Sequence, residues 1–121
     1  MPEILLHRGD IVLVPFPFTN LSTQKVRPAI VISPDPQSTD ILIAFISSVL
    51  PAGELTKSDY LLKKSHPDFA KTGLKKESVF KMNKLLTIER TKILRRLGRV
   101  SSEIQKELDL CLQYATGLSH P

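Results

Sequence analysis

Three short apolar runs rich in β-branched residues fall within the first fifty positions, and each is closed by turn chemistry. Gly9-Asp10 opens Ile11-Val12-Leu13-Val14, which ends at Pro15-Phe16-Pro17-Phe18; prolines at that spacing suit a strand end or a sheet edge. Thr19–Lys25 reads as a polar loop. Pro28-Ala29-Ile30-Val31-Ile32 is continuous rather than alternating and stops at Ser33-Pro34-Asp35-Pro36, the pattern of a strand covered on both faces. Ile41–Ile46 has the same character. Runs this short, broken this often, leave an antiparallel sheet or small barrel as the fold to expect.

The middle of the chain is less regular. Leu55–Leu62 has the composition of a further strand, whereas Lys63–Lys76, with His66-Pro67 and Gly73, reads as a mobile loop able to serve as a flap. Alternation returns at Ser78–Met82: with Phe80 and Met82 turned into the core, Val79, Lys81 and Asn83 share the opposite face. Leu85–Ile88 and Leu94–Val100 are expected as short strands around a turn at Glu89–Ile93. The last segment carries a helical signature. Ser101 or Ser102 can cap it, Gln105 stands three after Ser102 as in a capping box, and Gly117 can end it. Ile104, Leu108, Cys111, Leu112 and Ala115 then form one apolar stripe.

At 121 residues, 41% hydrophobic and 24% charged, residues 1–121 are expected to fold as a single domain. Cys111 is the only cysteine, which excludes an internal disulfide and a Cys-based zinc site and suits a reducing cytosol. The N-terminus lacks the layout of a signal peptide and no apolar run approaches the length of a membrane span, so the expected location is cytoplasmic, with no membrane partner. His7, His66 and His120 show no ligand spacing, and no nucleotide-binding, zinc-protease or serine-hydrolase signature is present. No metal and no other cofactor is expected.

Charge is unevenly spread. The net charge is +5, yet the segment Lys57–Arg99 holds 13 of the 17 lysines and arginines against four acids and is +9 by itself. Such a segment suits a polyanionic partner.

The run from Gly9-Asp10 through Val14-Pro15-Phe16-Pro17-Phe18-Thr19 and a polar loop to Lys25-Val26-Arg27-Pro28-Ala29-Ile30-Val31-Ile32-Ser33 resembles the opening of the MazF/PemK toxins. The likeness continues through Ile46-Ser47-Ser48, Gly73-Leu74, Ser78-Val79, Leu86-Thr87-Ile88 and the terminal helix. It implies a mainly β fold, an SH3-like small barrel of the CcdB/MazF/PemK kind with a C-terminal α-helix. It also implies a toxin of a type II toxin-antitoxin system that cuts single-stranded RNA at short sequences without a metal, acts as a homodimer, and is held by an acidic antitoxin.

By that resemblance Arg27, directly before Pro28, corresponds to the catalytic arginine, and a guanidinium offers a planar fork of donors suited to phosphorane oxygens. Ser47 falls where many members have threonine, and its hydroxyl can hold a phosphate oxygen. Lys25 and Lys81 are candidates for phosphate binding or proton donation, with Lys84 beside them; Asn83 can bond RNA, and Lys75 and Lys76 add charge for RNA or an acidic peptide. Two departures stand out. The Thr19–Lys25 loop has no acid or histidine, and Asn83 stands where other members carry a carboxylate two residues after a base. The group that takes the 2′-hydroxyl proton therefore stays open. Two other functions also stay open: a barrel that grips a protein and cuts nothing, as in gyrase-poisoning toxins of the CcdB type, and a family member that binds RNA or antitoxin without turnover.

Overall fold

The computed structural model describes residues 5–15, 25–35, 37 and 39–118. Six strands form one antiparallel sheet: β1 (Asp10–Pro15), β2 (Val26–Ser33), β3 (Asp40–Ser47), β4 (Asp59–Leu62), β5 (Ser78–Glu89) and β6 (Arg95–Arg99), followed by helix α1 (Ser102–Thr116). The order across the sheet is β4-β5-β3-β2-β1-β6. It curls into a half-barrel with one C-terminal helix, the mainly β architecture expected, although no ladder joins the edge strands β4 and β6. The expected Phe16–Phe18 strand end and Thr19–Gln24 part of the loop lie outside the described residues.

The continuous apolar runs are explained by two cores. One face of the sheet packs Ile11, Ile30, Ile32, Ala44, Ile46, Phe80 and Met82 against Ile104 and Leu108 of α1. The other collects Val12, Val14, Ala29, Val31, Ile41, Ile43 and Phe45 with Leu6 and Ile93. With both faces buried, alternate residues of β2 and β3 have no solvent to meet, and polar alternation disappears. Truncating Leu108 to Ala would cost about 2–5 kcal/mol, because it is fully buried.

Helix α1 is capped by Ser101, whose Oγ accepts from the backbone N–H of Ile104 at 3.3 Å; the alternative cap at Ser102, with its capping box, does not form. Gln105 instead donates to Asp109. Gly117, at φ 75°, closes the helix in the left-handed conformation that glycine adopts without strain.

Two expectations are corrected. Leu85–Ile88 is not a separate strand but the second half of β5. Lys63–Lys76 is anchored rather than flap-like: it contains a 3-10 turn at Phe69–Thr72, Thr72 is fully buried, and its Oγ1 donates to the Phe69 carbonyl at 2.6 Å. A Cβ on Gly73 would collide with the Leu97 carbonyl oxygen, and one on Gly98 would collide with the carbonyls of Lys71 and Thr72. Backbone packed that closely ties the segment after edge strand β4 to the opposite edge strand β6.

Candidate active site

Antiparallel register decides which side chains can meet. Ala29 of β2 pairs with Phe45 of β3, and Phe45 pairs with Lys81 of β5. Directly opposed residues share a face and so do residues two apart, which sets Arg27, Phe45, Ser47 and Lys81 together on the face away from α1. Val79 shares that face, as the alternation predicts, but is buried.

Register also breaks here. Ala44 pairs with Leu85 while its neighbour Phe45 pairs with Lys81, so Met82, Asn83 and Lys84 bulge from β5 without partners on β3. Met82 stays in the helix-side core, and its backbone N–H donates to the Ser58 carbonyl at 3.0 Å. Asn83 and Lys84 are exposed. This is where the sheet releases two polar side chains that regular pairing would hold in the ladder.

The result is a cleft of about 540 Å³. Arg27, Ser47, Lys81, Asn83 and Lys84 give it a polar wall, and Phe45, Ile46, Val49 and Leu85 give it an apolar one. Five of the eight residues expected at the site are thus brought together. Lys25, exposed just before β2, and Lys75 and Lys76, exposed before β5, do not line it. The apolar wall was missed in the sequence, although Phe45 stands two residues before Ser47 on one strand and hence on its face.

Among the described residues, three cations and no carboxylate line the cleft. That charge set favours an anion, and the guanidinium of Arg27 adds directional donors. Ser47 Oγ accepts from the Val49 N–H at 3.1 Å and lies 3.4 Å from the Val49 carbonyl, which fixes the hydroxyl at the strand end while leaving it on the cleft wall. Burial pushes the Cys111 thiol up, helped by Glu107 and Asp59, which makes it a poor nucleophile; it lies against the Asp59 carbonyl at 3.6 Å, outside the cleft. Among the described residues, no group of three or more His, Cys, Asp or Glu side chains is placed to hold a metal ion, and no helix is long and apolar enough to cross a membrane.

The model of the family described as PemK-like, MazF-like toxins of type II toxin-antitoxin systems matches residues 7–116. The chain belongs to this toxin family. Solved structures agree on the fold of the PemK/MazF-like chain. An endoribonuclease in complex with its cognate antitoxin, from Mycobacterial species, superposes with a TM-score of 0.75 at 13% identity, covering 97% of this chain and 100% of that one. The Mycobacterium tuberculosis toxin MazF-mt6 gives 0.71 at 18% identity over 92% and 99% of the two chains. A MazE-MazF structure from Deinococcus radiodurans gives 0.73 at 16% identity over 97% and 100%. No curated protein sequence matches the chain significantly.

Proposed function

We propose that this PemK/MazF-like toxin is a sequence-specific endoribonuclease that cuts single-stranded RNA by transesterification, without a metal. The observation that carries the reading is the cleft itself, where Arg27, Ser47, Lys81 and Lys84 line one cavity with no carboxylate among them. The 2′-oxygen attacks the adjacent phosphorus, a phosphorane forms, and the bond to the 5′-oxygen breaks, leaving a 2′,3′-cyclic phosphate and a 5′-hydroxyl end. Arg27 neutralises the phosphorane oxygens, where negative charge grows. Ser47 steers a non-bridging oxygen, and Lys81 or Lys84 hands a proton to the departing 5′-oxygen. Among the described residues no acid or histidine lines the cleft, so in this reading the proton of the 2′-hydroxyl goes to solvent.

The same reading makes the protein a homodimer restrained by an acidic antitoxin. The solved relative described as bound to its cognate antitoxin supports that partnership, and so does the cationic segment, which an acidic peptide would neutralise. The test is incubation with mixed-sequence RNA in excess EDTA, followed by analysis of the ends. Cyclic phosphate and 5′-hydroxyl ends are expected, and a 2′-deoxy nucleotide at the scissile position should block the cut. Loss of activity in EDTA with rescue by magnesium, or 5′-phosphate ends, would refute the mechanism. No cleavage of any RNA would favour a toxin that only binds.

A further inference from the structure

The cleavage chemistry uses only one wall of the cleft. A phosphorane needs charge and donors, which Arg27, Ser47, Lys81 and Lys84 supply, but it has no use for the apolar wall opposite them. Part of that wall is open to a ligand: Val49 is 73% exposed and Leu85 is half-buried. The flat face of a nucleobase is the part of RNA that apolar surface can cover, and single-stranded RNA leaves its bases unstacked for such contact. At about 540 Å³ the cleft falls in the range of roughly 300–1,000 Å³ that small-molecule sites occupy, which leaves room for a base beside its own phosphate.

Asn83 is the side chain suited to the edge of that base. Among the described residues lining the cleft, it alone holds a donor and an acceptor side by side in one plane. The three cations only donate, and Ser47 offers a single hydroxyl already shared with the backbone of Val49. The bulge holds Asn83 in place from both sides. Before it, the Met82 N–H donates to the Ser58 carbonyl at 3.0 Å; after it, Leu85 rejoins the ladder opposite Ala44. An exposed side chain on an anchored bulge is aimed at the cleft with little backbone freedom.

We propose that Asn83 is a specificity-determining residue: its amide reads an adenine next to the scissile phosphate while Val49 and Leu85 cover the face of the ring. The amide oxygen accepts from the N6 amino group and the amide nitrogen donates to N7. Guanine presents acceptors at both places and cannot make the pair of bonds. The inference rests on the RNA-cleaving reading and adds the base that the cleft selects.

The test sequences the ends of a mixed-sequence RNA cut by wild type and by Asn83→Ala. Wild type should favour adenine at one fixed position beside the cut by about tenfold or more, and Asn83→Ala should lose that preference. No adenine preference in wild type, or the same preference in both proteins, overturns the proposal. Base analogues at that position separate the two bonds with the protein unaltered. Purine, which lacks the amino group, and 7-deazaadenine, which lacks N7, should each lower kcat/KM several-fold for wild type, and neither should matter to Asn83→Ala. Asn83→Asp keeps the acceptor and loses the donor, so it should stay sensitive to purine and become indifferent to 7-deazaadenine; the reverse pattern overturns the assignment. A wild type that cuts no RNA strikes down the functional reading, and a mixed-sequence pool with 2′-fluoro sugars, which can be bound but not cut, then decides Asn83 by itself. Adenine enriched on immobilised wild type but not on Asn83→Ala supports the base contact; equal enrichment, or no binding, overturns it.

Discussion

Nε of Arg99 donates to Oδ1 of Asp10 over 2.8 Å, and Asp10 is fully buried although the two residues lie 89 positions apart. The other carboxylate oxygen accepts from the backbone N–H of His7 at 2.8 Å and has Arg96 at 3.8 Å. The Gly9-Asp10 turn that begins β1 is thus latched to the adjacent edge strand β6, where Arg99 is the register partner of Asp10. Arg99→Ala strips a charge-assisted bond from a carboxylate with no access to water and should cost about 1.5–3 kcal/mol. Denaturant unfolding checks this, and a loss below a few tenths of a kcal/mol would show the latch to be dispensable.

Arg27→Ala should lower the rate of RNA cleavage on the order of 100-fold or more, the scale for removing one transition-state donor. Ser47→Ala should cost less, since its hydroxyl is shared with the backbone of Val49. Arg27→Lys should recover only part of the rate, because an ammonium lacks the planar fork. Single-turnover cleavage by folded variants measures all three, and near-wild-type cutting by Arg27→Ala would remove Arg27 from the chemistry.

Lys75 and Lys76 are exposed and lie outside the cleft, so a contribution of theirs to RNA or antitoxin binding would be long-range attraction rather than contact with the scissile phosphate. Reversing both charges should weaken affinity for RNA and for an acidic antitoxin together, leave kcat unchanged, and matter less as salt rises. Binding titrations at two ionic strengths check the affinities, and a fall in kcat in parallel turnover assays would expose a direct catalytic role instead.

Burial pulls the Asp109 carboxyl up, but hydrogen bonds from Arg8 and Gln105 outweigh it and hold the group below the usual carboxylate range. A lowered folded value means stabilisation that is complete above the unfolded value of about 3.9 and lost as pH falls through the folded one. Arg8 bonds both oxygens of Asp109, at 2.6 and 3.3 Å, but both partners are well exposed. Arg8→Ala should therefore cost only about 0.5–1 kcal/mol near neutral pH. The difference from wild type should vanish in strong acid; a gap that persists at pH 2 would assign the effect to packing.

The strands that bury both faces and the helix with its apolar stripe were legible because their patterns are local. The continuity of β5 was not, since Asn83-Lys84 interrupts the apolar pattern at the bulge, and a bulge reveals itself only in the partner strand. The anchoring of Lys63–Lys76 was hidden for a similar reason: its polar, Gly- and Pro-bearing composition reads as a loop, while the contacts that fix it come from Leu97 and Gly98. Arg27, Ser47, Lys81, Asn83 and Lys84, which the structure brings into one cleft, were candidates through family resemblance, and periodicity alone singles out none of them.

The bulge at Met82–Lys84 also bears on how such a protein can change over generations. Asn83 and Lys84 take no part in the β3–β5 ladder, and Met82 alone anchors the excursion in the core. Replacing the two exposed residues therefore leaves the strand pairing untouched, whereas a change at Phe80 or Ile46 disturbs packing at once. A lineage can try new side chains against its substrate at those two positions with little risk to the fold, and drift in what the cleft accepts should concentrate there.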